Sequence, residues 1–177
     1  MPKPFGVFDG VLLMELVLDA DGHPAPRLGE VDMTPAQALE WHAFLIRQVV
    51  RMLCAGLIHG DLSEYNVLIG PDGPVIIDLP QAVDAAGNNN AFRLFARDVN
   101  NLRTTFGRAA PELLETEYAL EIWGLYEAAE LTPETPLTGL FKRDDRAADV
   151  GAVLDQIEEA RREAEARQRG REEQAQD

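Results

Sequence analysis

Residues 57 to 84, LIHGDLSEYNVLIGPDGPVIIDLPQAVD, form the stretch that decides the fold. Two apolar triplets within it, residues 67–69 and 75–77, have the length and composition of short buried strands. The Gly-Pro-Asp-Gly-Pro sequence of residues 70–74 separates them and is typical of a tight turn. The two strands are therefore predicted to form a hairpin.

Three polar side chains flank this hairpin. Asp61 and Asn66 precede the first strand and Asp78 follows the second. Because a hairpin brings its ends together, Asn66 and Asp78 are expected to lie side by side, facing Asp61. Phosphoryl transfer needs a carboxylate that orients the nucleophile's proton and hard oxygen ligands that hold magnesium against the phosphates. Asp61 fits the first role, and Asn66 and Asp78 fit the second; each residue alone would be an ordinary turn former.

The spacing matches a kinase catalytic loop, H-R-D-x-x-x-x-N, followed by D-F-G. The corresponding strings here are HGDLSEYN at 59–66 and Asp-Leu-Pro at 78–80. Together with IDLPQAVD at 77–84 and Arg-Asp-Val at 97–99, they closely resemble the RIO family of atypical protein kinases and ATPases, and a bacterial subgroup of RIO-type serine kinases in particular. The resemblance covers nearly all of residues 5–130. It implies an α+β fold, a protein-kinase-like C-terminal lobe that is mostly helical with a hinge strand and a short catalytic β-hairpin.

The resemblance implies a set of roles at the hairpin. Asp61 would be the catalytic aspartate, Asn66 and Asp78 the metal ligands, and ATP with Mg²⁺ the cofactor. The substrate would be a protein serine or threonine. The resemblance further implies that Asp78 could accept phosphate as an acyl-phosphate, so ATPase activity is an open alternative to kinase activity.

Three further residues are predicted to support the loop. His59 is expected to hold its shape rather than to perform chemistry. Ser63 either contacts phosphate or a substrate hydroxyl, or only makes a turn. Asp98 either is solvated or, as the resemblance implies, accepts hydrogen bonds from the catalytic-loop backbone. Gly60 stands where H-R-D has arginine, so pairing with a phosphorylated activation loop is not expected.

The apolar run Val11 to Leu18 predicts a buried strand. By resemblance it leads into the linker that binds adenine. Met14 would limit the depth of the nucleotide pocket, Glu15 would offer its backbone carbonyl and Val17 its backbone amide.

Helices account for most of the remaining sequence. Thr34 is predicted to cap a helix that Gly56 ends, with His42 on its apolar face as a satisfied core or boundary histidine. Asn90 is predicted to cap a second helix, and Pro111 to open a third that continues through Tyr118, Ile122 and Leu125.

The composition excludes several classes of protein. With 46% hydrophobic and 27% charged residues in 177, the chain is expected to form a globular domain. Its 31 acidic and 16 basic residues give a net charge of −15, which disfavours direct nucleic-acid binding and attraction to an anionic membrane. A single cysteine, Cys54, and the lack of a leader or a long apolar run predict a cytoplasmic protein without a membrane span.

The resemblance also implies functional elements of a kinase for which this sequence has no matching residues. A complete kinase has a glycine-rich lid, a lysine that binds the α- and β-phosphates and a glutamate that fixes that lysine. Lys3 is the only lysine before Lys142, and Gly6 and Gly10 do not form a G-x-G-x-x-G motif. We therefore expect a C-terminal lobe whose N-terminal lobe is missing, with little or no kinase activity from the chain alone.

This expectation divides the chain into three parts. Residues 1–18 would be the last N-lobe strand and the hinge, 19–146 a kinase-like C-lobe, and 147–177 a charged tail that is helical or disordered.

Two other functions fit some of the same residues. Small-molecule phosphotransferases of the aminoglycoside or choline kinase type share H-G-D-x-x-x-x-N, although Asp78-Leu79-Pro80-Gln81 differs from their Asp-Trp pair. A docking or regulatory module derived from a kinase lobe would keep the fold without catalysis.

Overall fold

A computed structural model of the chain describes residues 1–141, and the predicted tail at 147–177 lies outside the described residues. The described part is an α+β structure of three α-helices and three separate two-stranded antiparallel sheets, as the sequence predicts. The helices are α1 (Pro35–Cys54), α2 (Ala91–Gly107) and α3 (Tyr118–Glu127). The paired strands are β1 (Pro4–Phe8) with β2 (Val11–Met14), β3 (Leu57–Ile58) with β6 (Val83–Asp84), and β4 (Val67–Gly70) with β5 (Gly73–Ile76).

The hairpin at the centre of the motif is confirmed. Val67 pairs with Ile76 at its open end, and Gly70 pairs with Gly73 at the turn. The second strand ends at Ile76, one residue earlier than predicted. Val67 and Ile76 are buried, so the open end is packed on the helices rather than exposed.

The helix α1 begins and ends at the predicted signals. The Thr34 side chain accepts a hydrogen bond from the Gln37 amide, and the Gln37 side-chain oxygen accepts one from the Thr34 amide, which forms a capping box. Gly56 follows the helix with a φ of +77°, a conformation that glycine adopts without strain.

The core lies between α1 and α2 and is closed by α3. Leu45 and Leu53 of α1 and Leu102 and Phe106 of α2 are fully buried. Trp123 of α3 packs its ring against Phe92 and Phe95, nearer the N-terminus of α2. The second helix thus packs against both α1 and α3, and it carries residues of the predicted site.

The predicted buried strand at Val11–Leu18 is wrong in extent and burial. The strand β2 ends at Met14, and each of its four residues is exposed. Its single sheet partner among residues 1–141 is β1, itself an edge strand. An apolar run is buried only where another element packs on it.

The predicted third helix is interrupted. A 3₁₀ helix covers Pro111–Glu115, and α3 starts only at Tyr118. Thr116 between them is extended, and its carbonyl accepts a hydrogen bond from Nη1 of Arg103 on α2 at 3.1 Å. This tertiary contact uses a carbonyl that a continuous helix would need for its own hydrogen bonds.

Within residues 1–141, no helix combines the length and the apolar composition that crossing a bilayer requires.

His42 is buried on α1 between the rings of Phe106 and Tyr118, with centroid distances of 5.8 and 5.5 Å. Its Nε2 has no hydrogen-bond partner, so the predicted core histidine is buried but not satisfied. Burial lowers the pKa of His42 from 6.5 to about 4.

This pKa predicts acid destabilisation. The unfolded histidine binds a proton below pH 6.5 and the folded one only near pH 4, so stability is lost as pH falls through this window, by up to about 3 kcal/mol. We expect His42→Leu to remove this component from the difference in unfolding free energy between pH 7 and pH 4.5, measured by urea denaturation. The matched control is His23→Leu, at a side chain that is 77% exposed. Parallel pH profiles for wild type and His42→Leu would contradict the assignment.

Candidate active site

The loop between β3 and β4 is held by one buried side chain on α2. Asp98 is 2% exposed, and its two carboxylate oxygens accept hydrogen bonds from the amides of Gly60 at 2.8 Å and Leu62 at 2.9 Å. Asn101, one turn along α2, donates to the Leu62 carbonyl at 2.9 Å. The loop backbone on both sides of Asp61 is therefore tied to the core helix.

The electrostatics of Asp98 follow from this position. Burial raises the pKa of Asp98 to about 7, while the amides of Leu62 and Gly60 and the guanidinium of Arg97 act in the opposite direction. Both oxygens serve as acceptors, which is the arrangement that a carboxylate satisfies and a protonated acid does not. The loop is consequently anchored most firmly when Asp98 is ionised.

Gly60 is the residue that the loop geometry requires. Its φ is +79°, and a Cβ at this position would lie 2.5 Å from the backbone carbonyl oxygen of Gln81. No larger residue fits, so the arginine of H-R-D has no equivalent here. A positive charge instead comes from α2, where Arg97 donates from Nη2 to the Gly60 carbonyl and lies 3.9 Å from Oδ1 of Asp61.

Asp61 and Asn66 are brought into contact by the loop. Nδ2 of Asn66 donates to the Asp61 carbonyl at 2.8 Å and lies 3.4 Å from Oδ2 of the Asp61 carboxylate. Gln81 Nε2 lies 3.4 Å from the same Oδ2. The Asp61 carboxylate is thus contacted by two side-chain amides at Oδ2 and by the guanidinium of Arg97 at Oδ1.

Asp78 follows β5 in a left-handed conformation, with a φ of +67°. The amide of Ile77, the residue before it, donates to the Asn66 carbonyl at 3.0 Å, which joins the backbones on either side of the hairpin. Asp78 is exposed, and its carboxylate accepts no hydrogen bond within residues 1–141. A non-glycine residue with positive φ is uncommon and is found more often at functional sites.

His59 joins the loop to the residue before Asp78. Its Nδ1 accepts from the Asp61 amide at 3.3 Å, and its Nε2 lies 2.9 Å from the Ile77 carbonyl. These partners assign the proton to Nε2, which donates to that carbonyl. His59 is 2% exposed, so it holds two loops together and does not face the site.

Ser63 acts through its backbone in this structure. Its carbonyl accepts from the Asn66 amide at 3.0 Å, which is a turn contact. Both alternatives for Ser63, the turn and a contact with phosphate or a substrate hydroxyl, stay predictions.

The predicted adenine-binding segment approaches Gly70, at the turn end of β4, through Val17. Met14 is 41% exposed at the end of β2. Glu15 donates its amide to the Lys3 carbonyl at 2.9 Å, and the Val17 carbonyl accepts from Ala25 at 2.9 Å. Within residues 1–141 the Glu15 carbonyl accepts no hydrogen bond and the Val17 amide donates none, so the two groups assigned to adenine are available.

Sequence reasoning gave no role to Arg97, Gln81 or Asn101. The signal for Asn101 was its spacing of three residues from Asp98 and four from Arg97, which puts it beside both on the surface of α2. Gln81 carries no such signal, because its contact with Asp61 depends on how the segment after Asp78 folds back.

The side chains present fit a hard divalent cation. The amide oxygen of Asn66 and the carboxylate of Asp78 accept no hydrogen bond from residues 1–141. Carboxylate and amide oxygens are the ligands that Mg²⁺ prefers. The backbone contact between Ile77 and Asn66 places both residues at the open end of the same hairpin.

Comparison with known proteins identifies relatives for most of the described chain. A family model described as the RIO domain matches residues 1–119. The chain is 44% identical over 110 residues to the RIO-type serine/threonine-protein kinase Rio1 of Haloferax volcanii, covering 61% of this chain and 36% of the relative. It is 34% identical over 165 residues to the serine/threonine-protein kinase RIO3 of Caenorhabditis elegans, covering 84% and 30%.

A third relative, the RIO-type serine/threonine-protein kinase Rio1 of Thermoplasma acidophilum, is 34% identical over 105 residues, covering 59% of this chain and 53% of the relative. The chain therefore spans only 30% to 53% of the length of these three relatives. They are archaeal and eukaryotic, and placement in a bacterial subgroup stays a prediction.

The anchoring by Asp98 predicts a local change in hydrogen exchange. Asp98→Asn can accept from only one of the two loop amides, and its NH₂ faces the other. We expect the exchange protection of Gly60 or Leu62 to fall by about tenfold to a hundredfold at pH 8, the value of a hydrogen bond to a charged group. Asp72→Asn, in the exposed hairpin turn, is the control.

The same amides should respond to pH in the wild type. Because the pKa of Asp98 is raised to about 7, the folded protein takes up a proton here as pH falls below 7, and one acceptor is lost. Protection corrected for the intrinsic exchange rate should therefore decrease between pH 8 and pH 6. Equal protection in wild type and Asp98→Asn at both amides would show that the carboxylate does not hold the loop.

Proposed function

Because the chain belongs to the RIO domain family, we propose that it forms the catalytic lobe of an ATP- and Mg²⁺-dependent phosphotransferase that acts on serine or threonine hydroxyls of a protein. Asp61 is assigned as the catalytic aspartate, and Asn66 and Asp78 as the metal ligands. The Glu15 carbonyl and the Val17 amide are assigned to adenine, and Met14 to the depth of the pocket.

One observation carries this proposal. Asp61 and Asn66 are in contact at one end of the β4–β5 hairpin, and Asp78 adjoins Asn66 through the backbone bond between Ile77 and Asn66. Asp98 and His59 hold this arrangement from the core side. A loop that only made a turn would not need two buried polar residues to fix its backbone.

The Glu15–Val17 hinge segment and the β4–β5 hairpin are placed so that an extended nucleotide could contact both. Val17 Cγ1 lies 3.6 Å from the position of a Cβ on Gly70, at the turn end of β4, and Asn66 precedes the other end. Four strand residues span about 13 Å. Adenine on the Glu15–Val17 segment would therefore have its phosphates reach toward the open end of the hairpin.

Each of the candidate residues has its own role in the proposed phosphoryl transfer. Mg²⁺, when bound, neutralises the phosphate charge and aligns the transferred group. Asn66 and Asp78 would hold it with free oxygens. Asp61 accepts the proton of the attacking hydroxyl, and the amides of Asn66 and Gln81 keep its carboxylate oriented. Asp98 acts as a positioning residue, because it touches the loop backbone and not the reacting atoms.

The polypeptide alone is proposed to transfer phosphate slowly. Lys3 is the sole lysine among residues 1–141, and its position beside Glu15 is outside the hairpin site. Loss of a single preorganised donor to a developing charge costs about 2.7–4 kcal/mol in the transition state. A docking or regulatory role for the lobe is the alternative that this shortage of positive charge favours.

Binding of ATP–Mg²⁺ by calorimetry tests the metal ligands. Asp78→Asn keeps the size of the side chain and removes its charge, so we expect affinity for ATP–Mg²⁺ to fall at least about tenfold, which corresponds to about 1.4 kcal/mol. Asp72→Asn is the matched control in the turn of the same hairpin. Equal binding by wild type and Asp78→Asn would remove Asp78 from the metal site.

A version extended upstream of Met1 tests the activity. Autophosphorylation and ATP–Mg²⁺ binding that appear or strengthen only in the extended form would support the proposed kinase. Binding in neither form would favour a module without catalysis. Phosphorylation of an aminoglycoside or choline, without phosphorylation of protein, would favour a small-molecule phosphotransferase.

A further inference from the structure

Residues 25–29 lie along the edge of β4 that β5 does not occupy. The Ile69 amide donates to the Pro26 carbonyl at 2.9 Å. Arg27, the next residue, pairs with Leu68 in an antiparallel bridge. The backbone of Arg27 is therefore fixed beside the middle of β4.

The two ends of this segment contact the two halves of the proposed nucleotide site. At one end the Ala25 amide donates to the Val17 carbonyl at 2.9 Å, next to the groups assigned to adenine. At the other end the Gly29 amide donates to the Glu64 carbonyl at 3.3 Å, in the loop between β3 and β4. Arg27 thus lies between the adenine end and the catalytic end of the site.

The side chain of Arg27 belongs to the face of the hairpin that is turned away from the core. Val67 of β4 and Leu28, which follows Arg27, are both buried in the core. Arg27 itself has extended backbone angles, with φ at −73° and ψ at 152°, and it is exposed. Because successive side chains of an extended strand point to opposite faces, Arg27 and Leu68 point away from the helices.

The adenine-binding segment lies on this same face. Gly70 is two residues after Leu68, so a Cβ on Gly70 would share the face of Leu68. That Cβ position lies 3.6 Å from Cγ1 of Val17 and 3.6 Å from Cγ2 of Val75, the residue that pairs with Leu68. Val17, Leu68 and Val75 thus lie on one apolar surface, and Arg27 places a positive charge at its edge.

The surrounding charge makes this arginine important for an anionic ligand. The chain has a net charge of −15, so a polyphosphate is repelled unless cations offset it. Within residues 1–141 the Arg27 guanidinium forms no hydrogen bond or ion pair with another side chain. A guanidinium presents a planar set of donors that binds two phosphate oxygens at once.

We propose that Arg27 binds the polyphosphate of the nucleotide, between the adenine-binding segment and the metal ligands. This inference rests on the proposed function, because its ligand is ATP. Leu68 is two residues from Asn66, about 7 Å along the strand, and an extended arginine side chain reaches a similar distance. The guanidinium would supply part of the positive charge that a lysine supplies in a complete kinase.

Calorimetric titration of the full chain with ATP–Mg²⁺ and with adenosine tests this role. Arg27→Gln removes the charge and keeps a polar side chain, so we expect affinity for ATP–Mg²⁺ to fall about fivefold or more. Affinity for adenosine, which has no phosphate, should change by less than about twofold. Arg27→Lys keeps the charge without the planar donors, and it should restore part of the lost affinity for ATP–Mg²⁺.

The matched control is Arg47→Gln, which changes the net charge by the same amount. Arg47 is exposed on α1, a helix that packs on the core face of the hairpin, so its substitution should leave both affinities unchanged. Salt provides a second readout. Raising ionic strength from about 0.1 M to about 1 M shortens the screening length from about 10 to about 3 Å, and should narrow the difference between wild type and Arg27→Gln.

The result for wild type decides the proposed function, and the result for Arg27→Gln decides this inference. Equal affinity of wild type and Arg27→Gln for ATP–Mg²⁺ would overturn the role of Arg27 and leave the proposed function standing. An equal loss of ATP–Mg²⁺ and adenosine binding would assign Arg27 to the nucleoside or to the fold, and would also overturn it. If wild type binds neither ligand, the proposed function fails and this inference fails with it.

Discussion

The buried carboxylate of Asp98 is the contact on which the proposed site depends. It accepts the amides of Gly60 and Leu62, on either side of Asp61, from a helix enclosed by α1 and α3. A loop of polar residues has little packing of its own, so its geometry must come from such fixed acceptors. The cost of burying this charge appears as a raised pKa, and the gain is a loop whose backbone has one arrangement.

Glycine stands at position 60, where H-R-D has arginine, and the positive charge beside Asp61 comes from another element. The backbone passes so close to Gln81 that no side chain fits at Gly60. The guanidinium beside Asp61 therefore comes from Arg97, one residue before Asp98 on α2. One helix thus supplies both the anchor of the loop and the charge beside its aspartate, and packing errors in α2 would disturb both together.

Much of this architecture could be predicted from local sequence. Turn residues at 70–74 predicted the hairpin, and Thr34 with Gly56 predicted the limits of α1, because turn and capping chemistry act over a few residues. The wrong predictions concern segments whose structure depends on contacts with residues distant in sequence. The apolar run at Val11–Leu18 was expected to be buried, yet burial depends on a covering layer that the run itself does not encode.

The sequence by itself determined the residue types of the candidate site, their spacing around a hairpin, and the family to which the chain belongs. Tertiary structure alone decided that Arg103 donates to the Thr116 carbonyl between the two helical segments and that Gln81 and Arg97 reach Asp61. The physical reason is the separation in sequence of the residues that interact. Turns and caps depend on neighbours along the chain. These contacts instead join residues 13 to 36 positions apart, and whether such residues meet depends on how the whole core packs.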